Sequence, residues 1–196
     1  MSIQLQKFIE KHTPGENLQK ADPEKTARYR EYLPGPLLEL WAEYGFGLYG
    51  GGLIQVIDPD LYRDNLWGWL MREEEDMSRL PIALSAFGDI FYYRLLSDDG
   101  DEDVAFLDPH TSEGECIVWS LEEFFNEWCC DEEVVSEFLN LGMFQESVAA
   151  KGQLEENQFY YFVPALRMGG ARSVAGIDRG DAVVHLDFLL QLALDE

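Results

Sequence analysis

The chain of 196 residues carries 38 Asp and Glu against 14 Lys and Arg, a formal net charge of −24, with 46% hydrophobic and 13% aromatic residues. That apolar content is ample for the buried core of one domain or of two small, closely packed ones, while the charge disfavours direct binding to nucleic acid or an anionic membrane, since both call for a basic footprint. No window approaches the roughly 20 apolar residues of a membrane span, and the opening MSIQLQKFIEKH lacks a signal core and cleavage site, so cytoplasmic residence is expected.

In chain order, Ile3, Leu5, Phe8 and Ile9 fit a short helix closed by Thr13-Pro14-Gly15. Asp22-Pro23-Glu24 joins a capping residue, a proline at the first helical position and an acid near the positive helix end, which predicts a helix over residues 22–32. After Pro34-Gly35-Pro36, Leu37, Leu38, Leu40, Trp41 and Tyr44 fall at helical spacing until Gly45 supplies a C-terminal cap. The run from Gly45 to Gly52 is no phosphate loop: a helix precedes it, the strand-like Leu53–Ile57 follows it, and the Lys-Ser/Thr pair is missing. It reads as a glycine-rich lead into a strand, where the backbone passes close to a neighbour.

Asp58-Pro59-Asp60 starts another helix, with Leu61, Tyr62, Leu66, Trp69 and Leu70 on its apolar stripe. Trp67 falls off that stripe, either packed by another element or free to contact a partner. Residues 72–76 read as a solvated connector. Short β-branched and aromatic runs follow at Pro81–Leu84, Ile90–Leu96, Val104–Leu107 and Cys116–Trp119, parted by turn residues, and an antiparallel meander is their economical arrangement.

Ser120-Leu121-Glu122-Glu123 is a capping box opening a helix with Leu121, Phe124, Phe125, Trp128 and Cys129 on one face. Asp131 can cap a further helix, and Met143, Phe144 and Val148 continue helical structure after Gly142. Phe159–Pro164 reads as a strand, residues 169–180 as a glycine-rich, locally basic passage, and Val183–Leu186 as a strand or extended lead into a terminal helix. The expected fold is α+β: N-terminal helices packed on a largely antiparallel sheet, then a smaller helical or α+β C-terminal part. The expected domains are 1–119 and 120–196, packed closely together.

The charge is regional. Leu95 to Ala150 holds sixteen Asp and Glu and not one Lys or Arg, yet Phe106, Trp119, Phe124, Phe125 and Trp128 lie among them, so the acids belong on an ordered surface rather than a disordered tail. Such a surface repels anionic partners and attracts basic ones. Asp98, Asp99, Asp101, Glu102 and Asp103, with Asp131, Glu132 and Glu133, are the candidate partner-binding residues.

Signs of catalysis are sparse. There is no Gly-x-Ser-x-Gly elbow and no His-Glu-x-x-His, and no pair among the many carboxylates stands out as an acid and a base. His12, His110 and His185 are scattered, and Cys116, Cys129 and Cys130 fit neither a disulfide framework nor zinc spacing. The Asp98–Asp103 loop lacks the spacing and terminal glutamate of an EF-hand. No catalytic residue, metal or cofactor is expected.

The segment LPGPLLELWAEYGFGLYGGGLIQVIDPDLYRDNLWGWL, with FGDIFYYRLL, resembles the GAD-like domain of bacterial immunity proteins. FYYFVPALRMGG and VVHLDFLLQLAL resemble the immunity domain that accompanies it in proteins neutralising type VI secretion DNase toxins. The resemblance implies a non-enzymatic cytoplasmic α+β protein that binds a cognate toxin, a nuclease with a basic surface, and blocks its active site or DNA-binding surface. The alternative is a cytoplasmic scaffold or regulatory module with no toxin partner.

Overall fold

A computed structural model describes residues 4–195, so Ile3 of the expected first helix lies outside the described residues. Helix α1 (Gln6–Lys11) buries Phe8 and Ile9. Helix α2 (Pro23–Tyr29) opens as predicted, the Asp22 carboxylate accepting from the Lys25 N–H at 2.7 Å. It ends short of residue 32: Tyr32 and Leu33 close turns on the Tyr29 carbonyl, and the proline at 34 biases the preceding residue away from helix. Helix α3 (Gly35–Glu43) buries Leu37, Leu38, Leu40 and Trp41.

The glycine run is a hairpin in its own right, strand β1 (Gly47–Tyr49) pairing with β2 (Ile54–Val56) across a 3-10 turn at Gly50–Gly52. At Gly45, with φ of 115°, a Cβ would stand 2.6 Å from the Gln19 backbone, and here Gln19 and Phe46 exchange two backbone hydrogen bonds of 2.9 Å. The close approach expected of the glycines is therefore present. The strand made of Gly47-Leu48-Tyr49 was hidden because pairing, not propensity, creates it.

Helix α4 (Pro59–Trp69) is capped by Asp58, which accepts from the Asp60 N–H at 3.1 Å. Strands β3 (Arg79–Ser85), β4 (Ile90–Leu95), β5 (Glu102–Leu107) and β6 (Gly114–Val118) then complete a six-stranded sheet in chain order, every neighbour antiparallel. The meander expected from the sequence is the sheet's main body.

Helix α5 (Leu121–Asn126) has the Ser120 hydroxyl accepting from the Glu123 N–H at 3.1 Å, but the Glu123 carboxylate reaches back to the Trp119 N–H at 3.3 Å, one residue beyond the reciprocal bond of a capping box. The helix expected after Asp131 is a single π-turn, Val134–Phe138. It sets Phe138 edge-on to both Phe106 and Trp128 at 5.0 Å. Asn140 then caps helix α6 (Leu141–Lys151), so Gly142 lies inside a helix rather than before one.

Strand β7 (Gln158–Phe162) pairs with β8 (Ile177–Asp181) as a separate antiparallel ribbon, and helix α7 (Ala182–Leu194) ends the described chain. The glycine-rich passage thus ends in a strand, and Val183–Leu186 is helical. Asp181 decides the latter by accepting from the Val184 N–H at 2.9 Å, and Ala182, Leu186 and Leu189 are buried at helical spacing.

The sheet separates two cores. Phe91, Tyr93 and Val104 face α1, α3 and α5, where Phe8 meets Phe125 edge-on at 4.8 Å and Phe91 meets Phe124 at 5.2 Å. Ile90, Tyr92 and Ala105 face α4 and α7 through Tyr62, Leu66, Leu186 and Leu189. Strand β7 serves both: Phe159 belongs to the second core, Tyr160 and Phe162 to the first. Its Tyr160 N–H donates to the Ala86 carbonyl at 2.8 Å, and the Gln55 side chain bonds the Gln158 carbonyl and, at 3.2 Å, the Asn157 N–H. Both cores therefore draw on residues before and after Trp119.

Three turns are tied together beside β7. The Ser85 hydroxyl donates to the Asp89 carboxylate at 2.5 Å, while Asp108 accepts from the His110 N–H at 2.8 Å, from Thr111 at 3.1 Å and from Arg172. Burial, with the Asp108 charge adding to it, pushes the Asp89 carboxyl up to about 6. The unfolded chain loses this proton near pH 3.9, so the folded state is favoured by the group below that point, and the contribution is lost as pH rises from about 4 to about 6. The Asp89→Asn variant should therefore gain stability relative to the parent by about 1–2 kcal/mol between pH 4 and pH 6, then run level with it. Denaturant unfolding across that range checks this; a difference that does not change with pH would mean that Asp89 folds ionised.

Candidate partner-binding surface

The eight acids singled out in the sequence divide by what their carboxylates do. The β4–β5 hairpin closes tightly, with the Leu96 N–H donating to the Asp101 carbonyl at 2.7 Å and Gly100 at φ of 89°, a conformation open to glycine. Asp98 and Asp99 stand exposed at its tip, free of hydrogen bonds and ion pairs among the described residues. Asp101 is also exposed and accepts from the Ser97 hydroxyl at 2.8 Å.

Glu102 and Asp103 turn inward. Glu102 accepts from the Tyr93 hydroxyl at 2.7 Å and from the Leu121 N–H at 3.0 Å, tying the start of α5 to the sheet. Asp103 is 1% exposed and takes Nε and a terminal nitrogen of Arg94, both at 2.6 Å. Hydrogen bonding to Asp103 raises the Arg94 guanidinium pKa despite partial burial. A fork of this kind is strong and geometrically specific.

Asp131 caps the π-turn, accepting from the Glu133 and Val134 N–H groups at 2.9 and 3.0 Å; Glu132 pairs with Lys11; Glu133 is exposed. Between the hairpin and Asp131, α5 and the 3-10 turn after it present exposed Glu122, Glu123 and Glu127. The Glu102 bond to the Leu121 N–H joins the hairpin's strand to the start of α5, where Glu122 and Glu123 are exposed, whereas Glu127 pairs with Lys7 as Glu132 does with Lys11.

Trp119 lies between β6 and α5, just before the exposed Glu122 and Glu123, and is 69% exposed. The sequence places Trp119 in a strand among core-forming aromatics, and the structure exposes it instead. Of the two roles open to Trp67, packing holds: it is buried and its indole N–H donates to the Arg79 carbonyl at 2.9 Å. The signal for Trp119 was its position, one residue past the last inward side chain of a strand and one before a helix cap.

Chemistry of other kinds finds little support in the geometry. Among the described residues no group of three or more His, Cys, Asp or Glu is arranged to hold a metal ion. The His12 Nε2 lies 2.7 Å from the Cys129 carbonyl, that of His110 lies 2.9 Å from the Phe87 carbonyl, and His185 stacks on Tyr161 at 3.7 Å. Asp89 and Asp108 are a carboxylate pair in unlike surroundings, but their oxygens are engaged in turn and loop contacts, and neither lines the two surface concavities of about 410 and 490 Å³. No described helix is long and apolar enough to cross a membrane.

Fold and surface together define an α+β protein that displays exposed carboxylates on the β4–β5 hairpin and at the start of α5, with the exposed Trp119 indole between β6 and α5. Its residues 3–98 match the GAD-like domain and residues 120–193 match the C-terminal domain of the T6SS immunity protein Tdi1. The chain thus joins a GAD-like domain to a Tdi1-type C-terminal domain, in the order the sequence resemblance implies. The crystal structure of Atu4351 from Agrobacterium tumefaciens superposes with a TM-score of 0.71 over 93% of this chain and 86% of that one, at 19% identity, a likeness of fold. A search of curated proteins found no match.

The division among the acids is measurable. Asp103→Ala should cost about 3 kcal/mol in denaturant unfolding, because it strands the Arg94 guanidinium in a part-buried site. The Asp98→Asn/Asp99→Asn double variant should stay within about 0.5 kcal/mol of the parent, as expected of exposed, unpaired groups.

Proposed function

We propose that this protein neutralises a cognate type VI secretion toxin, a DNase, by binding over its active site or DNA-binding surface. The match of residues 120–193 to an immunity-protein domain carries the reading. The exposed carboxylates of the acid-rich stretch support the choice of toxin. A DNase grips phosphates with a positively charged surface, and ordered carboxylates would be drawn to that surface, speeding encounter and excluding wrong partners. The protein would act without catalysis, in the cytoplasm of the cell that makes the toxin, and would leave nucleic acid itself alone.

Co-expression with the toxin encoded by the adjacent gene tests the proposal: cells should survive and their DNA stay intact only when the immunity gene is present, and death despite soluble immunity protein would refute it for that toxin. Within this reading the exposed Asp98, Asp99 and Asp101 steer the encounter, together with exposed Glu133. Neutralising Asp98, Asp99 and Asp101 together should slow association about tenfold at low salt and flatten its salt dependence, measured by stopped-flow mixing with inactivated toxin. Unchanged rates would remove the hairpin tip from the interface.

A further inference from the structure

The sheet has two margins, and among the described residues neighbouring backbone pairs with only one of them. Along β1 the Gly15 and Gln19 N–H groups donate to the Leu48 and Phe46 carbonyls at 2.9 Å, and the Phe46 N–H returns to Gln19 at the same distance. Along β6, among the described residues, no backbone group outside β5 pairs with the strand. An open margin presents alternate N–H and C=O groups to any extended chain of suitable chemistry.

What guards this margin also selects what can join it. Register shifts between Val104 and Ala105, so that Val118 and Cys116 face consecutive residues and Ile117 is the extra one, a bulge that twists the strand. Glu113 and Glu115 are exposed along it. These carboxylates repel a second copy of a chain carrying −24 charges, but they attract a cationic strand. Trp119, 69% exposed, continues the line of β6, and Glu122 and Glu123 lie exposed on the first turn that follows. An indole face beside carboxylates is a seat for an Arg or Lys.

We infer that the outer edge of β6, together with Trp119, receives an extended, basic segment of the partner as a seventh strand, with a cationic side chain of that segment lying over the Trp119 ring. Main-chain pairing supplies register and part of the affinity, and Trp119 supplies the buried aromatic anchor that interfaces concentrate their energy in. The inference rests on the reading of this chain as a toxin-binding protein, the segment being the toxin's.

The test uses the full chain and the catalytically inactivated toxin encoded by the adjacent gene. Amide hydrogen exchange at residues 115–118 should slow at least tenfold in the complex. Trp119→Ala should weaken binding at least tenfold and Trp119→Phe much less, while Glu115→Lys should weaken it and slow association, all without loss of folded stability. If the toxin is bound and neutralised while these amides exchange as in the free protein and Trp119→Ala binds normally, the edge is not the site, though the immunity reading stands. If the toxin is not bound at all, both fall. Protection of the same amides on concentrating the protein alone would assign the edge to self-pairing and overturn the inference.

Discussion

The structure depends on the two-sided alternation of β7. A two-stranded ribbon alone is at best marginally stable in water, and β7–β8 forms no ladder with the main sheet. It is held because successive side chains point to opposite faces: Phe159 enters the core beneath α4 and α7, while Tyr160 and Phe162 enter the core beneath α1, α3 and α5. A slip of one residue would exchange these sets and place each ring in a space shaped for the other. Gly88 marks how closely the ribbon approaches, since a Cβ there would stand 2.9 Å from the Phe159 ring. The C-terminal residues are thus part of both cores, while α5, through Leu121, Phe124 and Phe125, belongs to the first.

That rigidity bears on how a chain with so few cations tolerates its charge. Lys7 and Lys11 of α1 pair with Glu127 and Glu132, and Lys25 and Arg28 of α2 pair with Asp58 and Asp60 before and in α4. Exposed pairs such as Lys7–Glu127 are worth little individually. Their distribution matters more: the N-terminal helices lend positive charge to segments that have little or none, and among the described residues none of their ion pairs reaches the hairpin tip. The tip therefore keeps its field, while the parts of the chain that must pack are relieved of some of theirs.

Much of the fold was legible because local signals agreed with the tertiary outcome. Asp22-Pro23, Asp58-Pro59 and Ser120 all cap helices, and the four strands of the meander pair in chain order. The misses occurred where pairing or packing overrides composition. Gly47-Leu48-Tyr49 and Ile177–Asp181 are strands because a partner lies alongside them, and Val183–Leu186 is helical because Asp181 caps it and Leu186 and Leu189 need one buried face. For the candidate surface, composition located the acidic stretch but could not tell a displayed carboxylate from a structural one. Asp99 and Asp103 are four residues apart in one loop and strand, and only strand pairing brings Arg94 opposite Asp103.

The distinction matters because charge number and charge availability are different quantities. A carboxylate already engaged by Arg94 or by a helix N-terminus contributes to the far field but has little capacity left for a partner's cation, and withdrawing it would leave its own neighbours unsatisfied. Long-range attraction can therefore use all of the acids, whereas contact must fall on the few that are free and exposed, together with any apolar group among them. Among the described residues of the hairpin and the start of α5, Trp119 at 69% and Leu96 at 45% exposure are the large apolar groups placed this way. An interface built here would separate its tasks in space: the hairpin tip and α5 would govern how fast a basic surface arrives, and the sheet margin beside the indole would govern how long it stays.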